Sequence, residues 1–188
     1  YSSVPVINGL TDFAHPCQVL ADLMTIREHK RRLAGLKLAY VGDGNNMANS
    51  LIVGGLKSGM AVATACPKGY EPHADVLAFA EGKDYTLTDD PAAAVKNADV
   101  VITDVWASMG MEGEAEKRRQ AFKGYQITNE LLALAEPDVM VQHCLPAHRG
   151  EEIAADVFEA HANEIFDEAE NRLHVQKAVM ALLMGREK

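Results

Sequence analysis

Apolar and polar positions along the chain alternate between two periods. Leu36–Val41 is a short, largely apolar run that stops at Gly42-Asp43-Gly44, and Asn46–Ser58 then places Met47, Leu51, Ile52 and Leu56 at helical spacing. Ala61–Cys66 is a second strand, stopped by Pro67. His73–Glu81 reads as a helix and Tyr85–Leu87 as a short strand. Asp90-Pro91 opens a further helix, with Asp as N-cap and Pro in the first turn. Val100–Thr103 and Val139–His143 are strands. Glu114–Phe122 and Asn129–Ala135 are helical, and Glu164–Phe166 reads as a short edge strand. Strands that read as near-continuous apolar runs and alternate with helices predict an α/β fold. It is a doubly wound, mostly parallel sheet with helices on both faces, Rossmann-like in outline. In such sheets ligands bind beyond the carboxyl ends of the strands. The loops there are Gly42–Asn46, Asp104–Gly110 and His143–Gly150.

Two helices do not fit that simple rhythm. Cys17–His29 carries Val19, Leu20, Leu23, Met24 and Ile26, and Asn171–Met184 carries Leu173, Val175, Val179, Met180, Leu182 and Leu183. Both stripes are wider than a one-sided surface helix needs. Each is either deeply buried in this domain or crosses to a second one.

Composition narrows the class. The chain has 188 residues, 48% apolar, with a net charge of −9. That length supports one α/β domain with a real core. The negative charge excludes a general nucleic-acid binder and a binder of acidic membranes. Three widely spaced cysteines, Cys17, Cys66 and Cys144, point to a reducing compartment, the cytosol or an organelle matrix. No apolar run approaches the roughly 20 residues of a membrane span. The chain opens at Tyr1 on strand-like Val4-Pro5-Val6-Ile7, which reads as a processed protein or a piece of a longer one.

The polar loops carry the candidate chemistry. Gly42-Asp43-Gly44-Asn45-Asn46 lacks a third glycine, since Met47 stands there, and no acidic residue follows about 20 positions on, so a dinucleotide site is disfavoured. A tight turn with Asn45 as cap, or an anion site at the helix start, both fit. Asp104 at the end of a buried strand needs a partner or a ligand. His143-Cys144-Leu145-Pro146 offers a thiol that is either a small buried apolar group or polarised by the adjacent histidine. His15-Pro16-Cys17-Gln18 places polar side chains at a helix N-terminus. No spacing of Cys or His suits a metal, and none is expected.

Five motifs occur in order: His15-Pro16-Cys17-Gln18, Gly42-Asp43-Gly44-Asn45-Asn46, Asp104-Val105-Trp106-Ala107-Ser108-Met109-Gly110, His143-Cys144-Leu145-Pro146-Ala147-His148-Arg149-Gly150 and Glu170-Asn171-Arg172. Together they resemble the ornithine carbamoyltransferases along the whole chain. That resemblance implies transfer of a carbamoyl group from carbamoyl phosphate to the δ-amine of L-ornithine, giving citrulline and phosphate, with no metal or organic cofactor. It implies that His15, Gln18, Cys144, Leu145 and Arg172 bind carbamoyl phosphate, with His15 polarising the carbonyl and the backbone carbonyls of Cys144 and Leu145 facing the carbamoyl nitrogen. It implies that Asn46, Asp104, Ser108 and Met109 bind ornithine. Cys144, Asp104 and His15 are then the catalytic candidates. The family's Ser-Thr-Arg-Thr loop, which holds the phosphate, is not in this sequence. The expectation is therefore an ornithine-binding domain over 1–188, with its core at about 36–168. Helices at 15–31 and 169–185 would cross to a carbamoyl phosphate domain. Such a chain is expected to be inactive alone, to self-associate through its bare helix faces, and to derive from a parent that is a homotrimer or a multiple of trimers, in the cytoplasm or an organelle matrix. The alternative is a non-catalytic α/β module that binds a small molecule.

Overall fold

The computed structural model describes residues 2–107 and 112–185. Five strands form one parallel sheet: β1 Lys37–Val41, β2 Ala61–Ala65, β3 Tyr85–Thr88, β4 Val100–Thr103 and β5 Met140–His143. Their order across the sheet is β3-β2-β1-β4-β5, in register Leu38 to Val62 on one side and Leu38 to Val100 on the other. Order reverses between β1 and β4, so the crevice for a ligand lies at the carboxyl ends of those two strands.

Successive strand residues point to opposite faces, and each face has its own core. Leu38, Tyr40, Val62, Ile102 and Met140 pack under α1 Pro16–Lys30, α2 Asn46–Lys57 and α3 Ala74–Ala80. Ala39, Val41, Ala63, Val101 and Val141 pack on the other side, against α4 Pro91–Val95 and a cluster built on Trp106, Phe122 and Ile127. A 3₁₀ turn at Glu112–Glu114 leads into α5 Ala115–Ala121. The short α6 Asn129–Leu132 and α7 Ala155–Ala160 precede the long α8 Ala162–Met184. The doubly wound α/β expectation therefore holds.

Two expectations fail. Val4–Ile7 forms no strand; Val4, Val6 and Ile7 are exposed. Glu164–Phe166 is helical, inside α8, and the reason lies at the sheet edge. β5 is an outer strand, and its outward N–H groups need acceptors. Glu164 Oε2 accepts from Val141 N at 2.8 Å, and Glu168 Oε2 accepts from His143 N at 3.0 Å. Four residues of helix rise about 6 Å and two residues of strand about 6.6 Å. One helix face thus reaches alternate amides of the strand, and a sixth strand is not needed.

Candidate active site

The turn after β1 is shaped by close approach. Gly44 N donates to Tyr70 O at 2.8 Å, and a Cβ on Gly44 would stand 2.2 Å from the backbone of Glu71. Only glycine fits there. Asn45 then caps α2, its Oδ1 accepting from Met47 N at 2.9 Å and Ala48 N at 3.3 Å. The other end of the same amide donates to Asp104 Oδ2 at 3.0 Å. Asn46 begins α2 and its Nδ2 donates to Thr11 O at 2.8 Å. The segment before α1 is held to α2 in the same way, by Asn49 Nδ2 to Phe13 O and His15 N to Ser50 Oγ.

Asp104, at the end of β4, is 7% exposed and is met by three donors. Besides Asn45 these are its neighbour Val105 N, at 2.8 Å to Oδ1, and the Cys144 thiol, at 3.2 Å to the same oxygen. Burial, with Asp104 and Glu168 beside it, pushes the Cys144 thiol well above its ordinary range. The thiol is therefore a protonated donor, and its polarisation by His143 is not what the structure shows. The His143 ring points elsewhere: Nδ1 accepts from Leu145 N at 3.0 Å, and Nε2 lies 3.0 Å from Glu152 Oε1 in a fully buried pair. Neighbours along a strand face opposite ways, so adjacency in sequence is no contact here. Leu145 itself adopts a left-handed backbone with φ 53° and precedes a cis proline.

Gln18 is buried on the first turn of α1. Its Oε1 accepts from Arg172 Nη1 at 2.5 Å, and its Nε2 donates to Asp22 and Glu168. His15 caps the same helix without a side-chain bond, and its Nδ1 is buried with no partner. Burial and the Arg172 charge lower the His15 pKa, against a smaller opposing pull from Gly9 and Asp104. His15 is a neutral hydrogen-bonding group at neutral pH rather than a cation.

The structure thus joins His15, Gln18 and Arg172 on one side, and Asn45, Asp104 and Cys144 on the other. Asn46 flanks the second group. Ser108 and Met109 lie outside the described residues.

Sequence reasoning passed over Asp22, Glu168 and Arg118. Arg118 is buried on α5, in the helical stretch Glu114–Phe122, whose charged pattern gives no sign of a buried side chain. It donates to Asp43 at 2.6 Å and to Trp106 O at 2.8 Å, tying the β1 loop to the β4 loop. Asp22 had one signal, a carboxylate within an apolar helical stripe. Among the described residues His148, Glu151 and Glu152 also bring ligand-type atoms within 4.8 Å of one another. Arg119 Nε already pairs Glu151 at 3.1 Å, and Glu152 Oε1 receives His143 and His148 N.

A parallel α/β domain with its polar groups gathered at the switch point defines a binding domain for a small polar molecule. Comparison with known proteins makes this specific. The family model described as aspartate/ornithine carbamoyltransferase, Asp/Orn binding domain, matches residues 34–183, and the companion carbamoyl-P binding domain matches residues 1–28. The chain belongs to the aspartate/ornithine carbamoyltransferase family.

It is 57% identical to the ornithine carbamoyltransferase of Thermococcus kodakarensis, over 98% of this chain and 61% of that protein. The Geobacter metallireducens ornithine carbamoyltransferase is 59% identical over 98% of this chain and 62% of its own length. The solved ornithine carbamoyltransferase of Pyrococcus furiosus matches with a TM-score of 0.93 at 54% identity, covering all of this chain and 62% of that one. The Campylobacter jejuni anabolic ornithine carbamoyltransferase matches at 0.92 with 40% identity, over 100% and 64%. The chain spans about 60% of the length of the curated relatives it matches.

Proposed function

We propose that this chain supplies the ornithine-binding half of an ornithine carbamoyltransferase. The reaction moves the carbamoyl group of carbamoyl phosphate to the δ-amine of L-ornithine and gives citrulline and phosphate. The observation that carries this reading is the linkage of Arg172, Gln18, Cys144 and Asp104 across α8, α1 and two strand ends, through bonds of 2.5 to 3.2 Å. In this reading His15, Gln18 and Arg172, with the backbone of Cys144 and Leu145, hold carbamoyl phosphate. Asn46, Asp104, Ser108 and Met109 hold ornithine.

The chemistry follows from charge. A free δ-amine has a pKa near about 10.4, so it arrives as an ammonium and cannot attack. Asp104 is the group that receives this cation. The ammonium between Asp104 and Cys144 opposes the upward push on the thiol, so that Cys144 takes part in proton handling only when ornithine is bound. Once Asp104 has accepted its proton, the neutral amine adds to the carbamoyl carbon, neutral His15 and Arg172 donate to the oxygen that gains charge, and the carbon–oxygen bond to phosphate breaks to release phosphate. Holding the two substrates in line supplies much of the rate.

The outer faces of α1 and α8 support a role for these helices as crossovers to a carbamoyl phosphate-binding domain. Leu20, Leu173, Leu182 and Leu183 are exposed on them. We assign the parent enzyme to a trimer in the cytoplasm, a placement supported by three free cysteines. Among the described residues no helix is long and apolar enough to cross a membrane.

The test is a citrulline assay on this chain alone, with calorimetry of ornithine in the presence and absence of carbamoyl phosphate. No citrulline and weak ornithine binding are expected. Turnover at an ordinary enzymatic rate overturns the half-site reading. In a full-length relative, replacing the cysteine that matches Cys144 by Ala is expected to lower kcat/KM and alter its pH profile; an unchanged profile removes the thiol from the mechanism.

A further inference from the structure

The contact between α1 and α8 holds two carboxyls that the reaction above does not use. Asp22 is fully buried and Glu168 is 1% exposed. Both bind one atom, Gln18 Nε2, at 2.9 Å from Asp22 Oδ1 and 2.8 Å from Glu168 Oε1. These two oxygens are no farther apart than those bonds laid end to end. Each Glu168 oxygen has a donor, since Oε2 also takes His143 N at 3.0 Å. Asp22 has a donor on one oxygen only: its Oδ2 is buried and no donor reaches it.

Two bare carboxylates so placed repel in a medium that screens charge poorly. The groups facing them are Gln18 on α1, Arg172 on α8, Asp104 at the end of β4, and the His143 amide and Cys144 thiol on β5. Arg172 is the one cation among these, and Asp104 adds a further negative charge. A single proton shared between the two carboxyls relieves the repulsion.

The consequence is directional. Gln18 spends both N–H bonds on the carboxyls, so its oxygen faces Arg172. The flipped amide would set oxygen against two carboxyls and NH2 against a guanidinium. We propose that Asp22 and Glu168, sharing one proton, are positioning residues that lock Gln18 with its oxygen toward the carbamoyl phosphate side and so select a ligand bearing an –NH2 group. This rests on the assignment of Gln18 and Arg172 to carbamoyl phosphate. An acceptor at that point bonds the carbamoyl amino group and offers nothing to the methyl group of acetyl phosphate. Through His143 N, Glu168 also sets the strand end that leads into Cys144 and Leu145. Burial, the largest influence, raises Asp22 to about 7 and Glu168 well above its ordinary value.

The experiment follows the carboxyl carbons of Asp22 and Glu168 and the side-chain amide of Gln18 by NMR in the full chain, from about pH 5 to about pH 9. One carboxyl proton is expected to persist at the acid end and leave near about 7, with the Gln18 amide shifting at the same midpoint. Asp22→Asn, which keeps the shape, abolishes that coupled shift. Both carboxyls ionised throughout, or a Gln18 amide indifferent to pH, overturns the clamp, and the wild-type titration decides this even if Asp22→Asn does not fold. Carbamoyl phosphate and acetyl phosphate are then compared for binding in a full-length relative and in its variant that matches Asp22→Asn. The preference for carbamoyl phosphate is expected to fall about tenfold in Asp22→Asn, and an unchanged preference overturns the selection. If the coupled titration is seen but replacing the glutamine that matches Gln18 by Ala in the full-length relative leaves carbamoyl phosphate binding unchanged, the clamp stands and the assignment of the site is overturned.

Discussion

Helices α1 and α8 carry similar apolar stripes and are used in opposite ways. α1 buries eight of its 15 residues, among them Val19, Leu23 and Ile26, beneath α2 and the sheet. α8 buries three of 23, Ile165, Glu168 and Asn171, and two of those are polar. It docks through polar groups along its first half. Glu164 and Glu168 reach the edge of β5, Asn171 Nδ2 donates to Thr25 Oγ1 at 2.9 Å and Glu28 at 2.7 Å, and Asp167 meets His29 at 2.8 Å. Beyond Arg172, Val175 and Val179 are half-buried while Leu173, Met180, Leu182 and Leu183 stand in solvent, with Leu182 71% exposed. A hydrophobic stripe records that a helix needs a partner; it does not say whether that partner is present.

This contrast can be broken at several points. Ile26→Ala on α1 is expected to cost about 2–5 kcal/mol by emptying a fully buried site. Denaturant unfolding measures it, and a loss under about 1 kcal/mol would contradict the packing described.

Second in size is a pH effect at the helix contact. Asp22 is raised from its ordinary 3.8 to about 7, so it is protonated in the fold and ionised in the unfolded chain at intermediate pH. Its contribution is complete below 3.8 and is lost as pH rises through about 7. Stability should therefore fall over that window, on the order of a few kcal/mol at most. Asp22→Asn should flatten the curve, and a wild-type midpoint constant across the window would speak against it.

Asn171→Ala removes two hydrogen bonds that tie the helices and should cost about 1–2 kcal/mol, read from the thermal midpoint. Smallest is Leu182→Ser. It should change stability by less than about 0.5 kcal/mol, yet reduce self-association in sedimentation, because contiguous exposed apolar surface seeks a partner. Equal sedimentation of the two proteins at high concentration would count against an adhesive α8.

Much of the sheet was legible in the chain. Leu38–Val41 and Val100–Ile102 are apolar without interruption because both faces are covered, and that pattern is local. The caps were legible too: Asn45 and Asp90 precede their helices and accept the bonds expected of them. Among the candidate site residues Gln18 meets Arg172 and Cys144 meets Asp104, a pattern of bonds that was not readable in the chain. Asp43 meets Arg118 across 75 residues, and Glu164 meets the Val141 amide across 23. No periodicity reports such pairs. Glu164–Phe166 looked like a strand because an apolar pair flanked by acids suits either period, and only the neighbouring edge of β5 decides it. The Cys144 thiol misled for another reason: its chemical environment comes from Asp104, Asp22 and Glu168, none of them near it in the chain.

The double engagement of Asn45 reaches beyond geometry. One side chain both closes the first turn of α2 and fixes the carboxylate at the end of β4. Local opening of that turn and release of Asp104 are then a single event. Occupancy of the crevice becomes visible in the backbone: a ligand that engages Asp104 should slow deuterium uptake at the amides of Met47 and Ala48, which it need never touch.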